Sequence, residues 1–286
     1  MTRRHLFSST AAAAATTAAT AFAQSPYTRP RKGKLKQAVT GGCFGRGTPF
    51  ETQCWEAARI GFQGFDLKGP ADFEMLKKYN LVPSMVPGGG GNIPVALNRI
   101  ENHDRIEKEM HPLIDICAAN QCPDLITFSG NRKGMSDAEG ADNCVTFLNK
   151  VKAHAEDKGV TICMELLNSK VDHKDYMCDK SAWGIDVCKR VNSPRVKLLF
   201  DIYHMQIMEG DIVRTIRDNL QYFAHFHTGG NPGRHEIDDT QELNYKLVAK
   251  TLSELNFQGF IAHEYSPARG SDPIRCLEYA FESFDV

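Results

Sequence analysis

The sequence predicts one closed (β/α)8 barrel, a TIM barrel, over residues 35–286, on three observations. Short apolar runs alternate with helical patterns eight times along this stretch. Such alternation argues for parallel strands, which need crossover connections, and eight units in about 250 residues fit a closed barrel. Three of the later runs end in a carboxylate, Val160–Glu165, Val196–Asp201 and Phe260–Glu264, and a fourth, Tyr222–Thr228, carries His225 and His227 two apart near its end. No G-x-G-x-x-G turn follows the first run, and the loop Pro87–Gly91 lacks the Lys-Ser/Thr of a phosphate-binding loop. Both absences disfavour a doubly wound nucleotide-binding sheet.

In order, a strand at about 35–40 leads into the Gly41–Gly47 loop and a helix from Pro49 through Ala58. The second strand is Gly64–Leu67, followed by a short helix over Ala71–Tyr79, and the third is Leu81–Met85. A long helix at about 101–119 carries Ile106, Met110, Leu113 and Cys117 at helical spacing. Leu125–Phe128 is strand four, and Ser136-Asp137 caps a helix running to Lys158. Strand five ends at Glu165, and a helix covers Trp183–Val191. Strand six ends at Asp201, with its helix at about 211–219. Strand seven ends near Thr228 and is followed by a helix at about 241–255. Strand eight ends at Glu264, with a closing helix at about 272–283.

The first 23 residues read differently. Arg3-Arg4 precede an alanine-rich run ending Ala21-Phe22-Ala23, an A-x-A cleavage pattern. Twin arginines followed by small residues resemble a twin-arginine export signal, which implies a periplasmic protein. The run is too short and too polar for a good membrane span. Residues 24–34 read as a basic, Pro-containing linker. Removing residues 1–23 takes away Arg3 and Arg4 and no acidic residue, leaving 32 basic against 35 acidic side chains. That balance offers no basic field for nucleic acid. The nine cysteines contain no C-x-x-C pair, so a zinc knuckle or dithiol redox motif is not supported. Mostly free, buried thiols are expected, with one loop disulfide left open. The sequence is compatible with a homo-oligomer.

Strand ends of a TIM barrel meet at one mouth, where active sites form. Glu165, Asp201, His227 and Glu264 would then sit on four neighbouring strands, five to eight. Three carboxylates and an imidazole converging without a cation would repel one another. A divalent metal resolves this; the oxygen-rich set suits Mn2+, Mg2+ or Co2+, and Zn2+ also fits. Taken singly, each residue has a plainer role: the aspartate as a helix cap, the glutamates as acids reaching solvent or an arginine, and His227 as a hydrogen-bonded core histidine. Parity adds an argument, because His263 and Glu264 face opposite ways and an ionised carboxylate in the helix layer costs several kcal/mol. Glu264 is therefore assigned to the mouth. Candidate substrate-holding groups are His204, three residues past Asp201, Arg234, seven past His227, and Arg132, Arg99 and His103. Such groups beside a metal suit a small oxygenated substrate.

Phe200–Gln206, the His227–Glu236 segment ending Arg234-His235-Glu236, and His263-Glu264-Tyr265 together resemble the hydroxypyruvate isomerase family of the xylose isomerase-like barrels. The resemblance runs from about Leu35 to the C-terminus and is sharpest after Cys163. It implies Glu165, Asp201, His227 and Glu264 as metal ligands, Glu165 and Glu264 also as the acid/base pair, and His204 and Arg234 on substrate oxygens. It further implies isomerisation of a small hydroxy-keto acid or sugar through an enediolate. Hydroxypyruvate isomerases often carry Gln at the position of His227, whereas ketose 3-epimerases carry His, so epimerisation stays open. A metal-dependent dehydratase of the inosose or dehydroshikimate type would use the same ligands. An endonuclease IV-like nuclease would need more ligands and a basic track, and an exported sugar-binding protein would not need both glutamates.

Overall fold

A computed structural model describes residues 30–286. The expected signal, residues 1–23, lies outside the described residues, as do residues 24–29 of the linker. Residues 32–34 are tied to the other end of the chain. Asp285 accepts from Lys32 N and Gly33 N, and Lys34 N donates to the Val286 carbonyl.

Eight parallel strands close on one another in chain order: β1 (Lys36–Val39), β2 (Gly64–Asp66), β3 (Val82–Val86), β4 (Asp124–Thr127), β5 (Thr161–Glu165), β6 (Val196–Asp201), β7 (Phe223–Thr228) and β8 (Phe260–His263). Pairing of Lys36 with Phe260 and of Ala38 with Gly64 joins β1 to both neighbours and shuts the barrel. The strands read as apolar runs because both faces are covered; every residue of β5 is buried.

The helices wrap the outside: α1 (Phe50–Ile60), α2 (Phe73–Lys78), α3 (His103–Ala119), α4 (Asp137–Lys158), α5 (Ser181–Val191), α6 (Ile202–Met208), α7 (Ile212–Asn219), α8 (Tyr245–Glu254) and α9 (Pro273–Phe284). The cap expected at α4 is present, with Ser136 accepting from Glu139 N. Helix α6 is an addition to the sequence reading. It starts directly from Asp201, whose carboxylate accepts from His204 N at 3.1 Å as its N-cap. No helix among the described residues is long and apolar enough to cross a membrane. All nine cysteines are free, eight of them buried and Cys276 partly so.

Candidate metal centre and active site

Register sets the site. Asp201 pairs with His227 across β6 and β7, and Glu165 ends β5 one strand away, opposite Leu199. Glu264 follows β8 directly, with its amide on the Thr228 carbonyl at 2.9 Å. The ligand atoms of Glu165, Asp201, His227 and Glu264 all lie within 4.8 Å of one another. Parity works as expected at β8. His263 turns into the helix layer, edge-on to Phe62 and Phe284, with Thr228 Oγ1 and Gln37 Oε1 on its two nitrogens. Glu264 turns into the mouth.

His227 is fully buried, and its two nitrogens meet different surroundings. Nε2 lies 3.0 Å from Asp66 Oδ2. Nδ1 lies 2.7 Å from Glu264 Oε2, 3.5 Å from Glu165 Oε1 and 3.8 Å from Asp201 Oδ2. Despite these short approaches Nδ1 makes no aligned hydrogen bond. A buried nitrogen without a hydrogen bond, aimed among three carboxylates, fits the donor set of a divalent cation. Anchoring the opposite nitrogen on a carboxylate is how metal-ligating histidines are commonly oriented.

The electrostatics divide the two glutamates. Burial raises the Glu165 carboxyl, Glu264 and Asp201 push it further, and His227 only partly offsets them, leaving it at about 7. Burial also acts to raise Glu264, but His227 and Arg234 outweigh it and hold that carboxyl down at about 2. His227 itself loses some basicity to burial, yet Glu264, Asp66 and Glu165 push it well above the usual imidazole range.

Arg234 closes the site from the loop after β7. Its Nη2 lies 2.7 Å from Glu264 Oε2 and contacts Asp201 Oδ2, and its guanidinium stands over the Tyr203 ring at 5.1 Å. Gly229 permits this approach, since a Cβ there would meet Arg234 Cγ at 3.0 Å and the Glu264 carbonyl oxygen at 3.1 Å. His204, also fully buried, has Arg234 Nη1 at 2.7 Å on one nitrogen and Asn168 Nδ2 at 2.6 Å on the other. Burial and Arg234 depress it to about 4, against the pull of Asp201, so it is neutral at physiological pH. A neutral imidazole accepts at one nitrogen only, so these two donors compete for one lone pair.

Thus Glu165, Asp201, His227, Glu264, His204 and Arg234 converge, and three other expected groups do not join them. His103 is buried at the start of α3, with Nε2 2.8 Å from the Leu97 carbonyl oxygen and its ring edge-on to Phe147. Arg132 spends its guanidinium on Asp137, Asp179 and the carbonyls of Tyr176 and Met177. It thereby locks the loop after β4 to the loop after β5. Arg99 similarly donates to the Arg132 carbonyl.

Sequence reading missed Asp66, the last residue of β2, and the partners behind it. Asp66 carries the same strand-end signal as Glu165 and Asp201, but β2 is far from strands five to eight in sequence, and only closure of the barrel through β1 brings it near β8. Its Oδ2 faces both His227 Nε2 and, at 2.8 Å, His225 Nε2, while Ser84 donates to Oδ1. His225 Nδ1 reaches Asp124 Oδ2 at 3.0 Å. Burial works against the charge on His225, but the two aspartates prevail and push it up to about 9. Asp66, His225 and His227 also gather their ligand atoms closely enough for an ion. Asn168, Asp172 and Tyr203, linked by hydrogen bonds around His204, likewise emerge only from the fold.

A closed parallel barrel with oxygen and imidazole donors at its C-terminal mouth defines a class that the family comparison matches. The profile described as "Xylose isomerase-like TIM barrel" covers residues 54–279, and the chain belongs to that family. Among curated relatives, a Danio rerio protein named "Putative hydroxypyruvate isomerase" is 34% identical over 125 residues, 43% of this chain and 45% of that one. A Cupriavidus necator 2-oxo-tetronate isomerase is 32% identical over 139 residues, 48% of this chain and 53% of that one. These matches thus span about half of either relative. A Pectobacterium atrosepticum 2-oxo-tetronate isomerase matches at 24% over 236 residues, 77% of this chain and 87% of the relative. Among solved structures, a 3-keto-D-glucoside 4-epimerase from E. coli superposes with a TM-score of 0.72 at 18% identity, over 86% of this chain and 98% of that one. That likeness is one of fold.

Proposed function

We propose that the protein is a divalent-metal-dependent isomerase of a small hydroxy-keto acid or sugar, working through an enediolate with Glu165 and Glu264 as its acid/base pair. The observation that carries this reading is the convergence of Glu165, Asp201 and Glu264 on the unbonded Nδ1 of His227. The names of the relatives, hydroxypyruvate and 2-oxo-tetronate isomerases, support the substrate class.

Glu165, Asp201, His227 and Glu264 would hold the cation, which when bound supplies Lewis-acid polarisation of a carbonyl and its neighbouring hydroxyl. The rest follows from the side chains. One glutamate of the pair takes the carbon-bound proton to leave the enediolate, and a proton returned at the adjacent carbon completes the isomerisation and restores the pair. Arg234 and His204 orient the substrate's remaining oxygens, and the neutral ring of His204 adds no charge to a crowded site.

A second reading, ketose 3-epimerisation, is favoured by one residue. His227 stands where the resemblance implies Gln in hydroxypyruvate isomerases and His in the 3-epimerases. Return of the proton to the opposite face of the same carbon would give that outcome with the same residues. The experiment is solvent deuterium exchange into hydroxypyruvate, 2-oxo-tetronate and a panel of ketoses, with wild type beside Glu165→Gln and Glu264→Gln. The reading predicts exchange with a keto acid or ketose that needs both glutamates. Exchange retained in both variants would refute it, and the position of the label distinguishes isomerase from epimerase.

A further inference from the structure

The interior of a TIM barrel is ordinarily filled by layers of branched aliphatic side chains. Here a polar column stands inside the barrel among apolar packing from Met85, Ile126, Cys163 and Leu199. It runs from Asp124 Oδ2 to His225 Nδ1 (3.0 Å), from His225 Nε2 to Asp66 Oδ2 (2.8 Å), and from Asp66 Oδ2 to His227 Nε2 (3.0 Å). Asp66, His225 and His227 are fully buried and Asp124 is 4% exposed. Replacing such a buried network by aliphatic residues is often neutral or stabilising, so stability alone is a weak reason for its presence.

We propose that Asp124, His225 and Asp66 are positioning residues that fix the tautomer and aim of His227, and so set the affinity of the mouth for a divalent cation. The proposal rests on the metal-site reading above. A carboxylate can only accept, so Asp66 keeps a proton at Nε2, and Nδ1, the nitrogen facing Glu165, Asp201 and Glu264, is the one that can give up its proton and turn a lone pair to a cation. Asp66 is itself held from the other side. Ser84 donates to Oδ1, and His225, with a carboxylate at each ring nitrogen, donates to Asp66 and to Asp124. Strands β2, β4 and β7 are thereby tied through one line of hydrogen bonds, and Asp66 cannot turn away from His227 without breaking it.

A second ion among Asp66, His225 and His227 is the rival reading. Against it, every nitrogen that would serve there already faces a carboxylate in hydrogen-bond contact. The unbonded nitrogen of this region, His227 Nδ1, points the other way.

The test titrates Mn2+ alone into the chelator-stripped protein by calorimetry, for wild type, Asp66→Asn, His225→Gln and Asp124→Asn, with folding checked by thermal melting. Imidazole 15N shifts, read with diamagnetic Zn2+ in place of paramagnetic Mn2+, report the His227 tautomer. The expected result is one ion per chain and a proton on Nε2 in wild type. Loss of such supporting groups typically weakens metal binding about 10–100-fold, and Asp66→Asn should approach the upper end because its amide can present N–H to His227 Nε2. His225→Gln should weaken binding less. Asp124→Asn keeps an oxygen facing His225 Nδ1, so it should fold and show the smallest loss. Folded variants with wild-type affinity would overturn the column's role while leaving the metal site standing. Two ions in wild type and one in His225→Gln would show instead that the column is a second site. A wild type that takes up no Mn2+ would overturn the metal reading and the column with it.

Discussion

Acid should destabilise this barrel through His263, and the size of the effect follows from where β8 puts the ring. His263 is fully buried in the helix layer, against Phe62 and Phe284, with Thr228 and Gln37 on its nitrogens and no carboxylate beside it. Burial alone depresses it to about 3, against an ordinary imidazole near 6.5. The folded state therefore resists a proton that the unfolded chain accepts. Above the unfolded value this costs nothing. As pH falls below about 6.5, stability is lost progressively, and the loss is complete near the folded value of about 3. Between pH 7.5 and pH 5 only the last unit and a half counts, so the loss is about 2 kcal/mol. For a domain of this size that lowers the melting temperature by about 4–8 °C.

The assay is thermal melting from pH 8 to pH 5 for wild type and His263→Gln. The variant should melt lower at pH 7.5, having lost the ring packing, yet decline less toward pH 5. The carboxylates and His204 titrate in both proteins, so the difference in slope isolates His263. Parallel declines would refute both the buried neutral ring and the parity argument that places Glu264 at the mouth.

Three further outcomes are expected. Arg234→Lys removes the planar fork that touches Asp201, Glu264 and His204; on the proposed reaction it should raise KM at least tenfold in steady-state assays, and an unchanged KM would remove Arg234 from substrate binding. Chelator should lower the melting temperature, because a cation present at 100 times its Kd stabilises by about 2.7 kcal/mol, and re-added Mn2+ should restore it. Expressed with its own N-terminus in a bacterium with twin-arginine export, the chain should be recovered from the periplasm beginning at Gln24; recovery only from the cytoplasm, uncut, would reject the export proposal.

The eight-fold alternation was legible because the barrel strands, covered on both faces, are written as apolar runs broken by Gly and Pro loops. On strand β7 the two-residue spacing puts His225 and His227 on one face, their ring centroids 5.4 Å apart. Helix α6 was hidden for the opposite reason. Ile202, Tyr203, His204, Met205 and Met208 are all buried, so the segment lacks a polar face and shows no helical period. Asp124 opens β4 and reads locally as a loop residue; only closure of the barrel brings it to His225. Arg132 follows β4 closely and His103 opens the helix after the β3 loop, but a side chain's aim depends on its rotamer and neighbours. Each finds backbone carbonyls to bind away from the cluster.

The most direct test of the metal-centre account is a crystal of the protein grown with Mn2+, examined at the manganese anomalous edge. The account predicts one peak per chain within bonding distance of Glu165, Asp201, Glu264 and Nδ1 of His227, with Nε2 still on Asp66. No peak at the strand ends, or His227 turned so that Nε2 rather than Nδ1 faces the carboxylates, would contradict it.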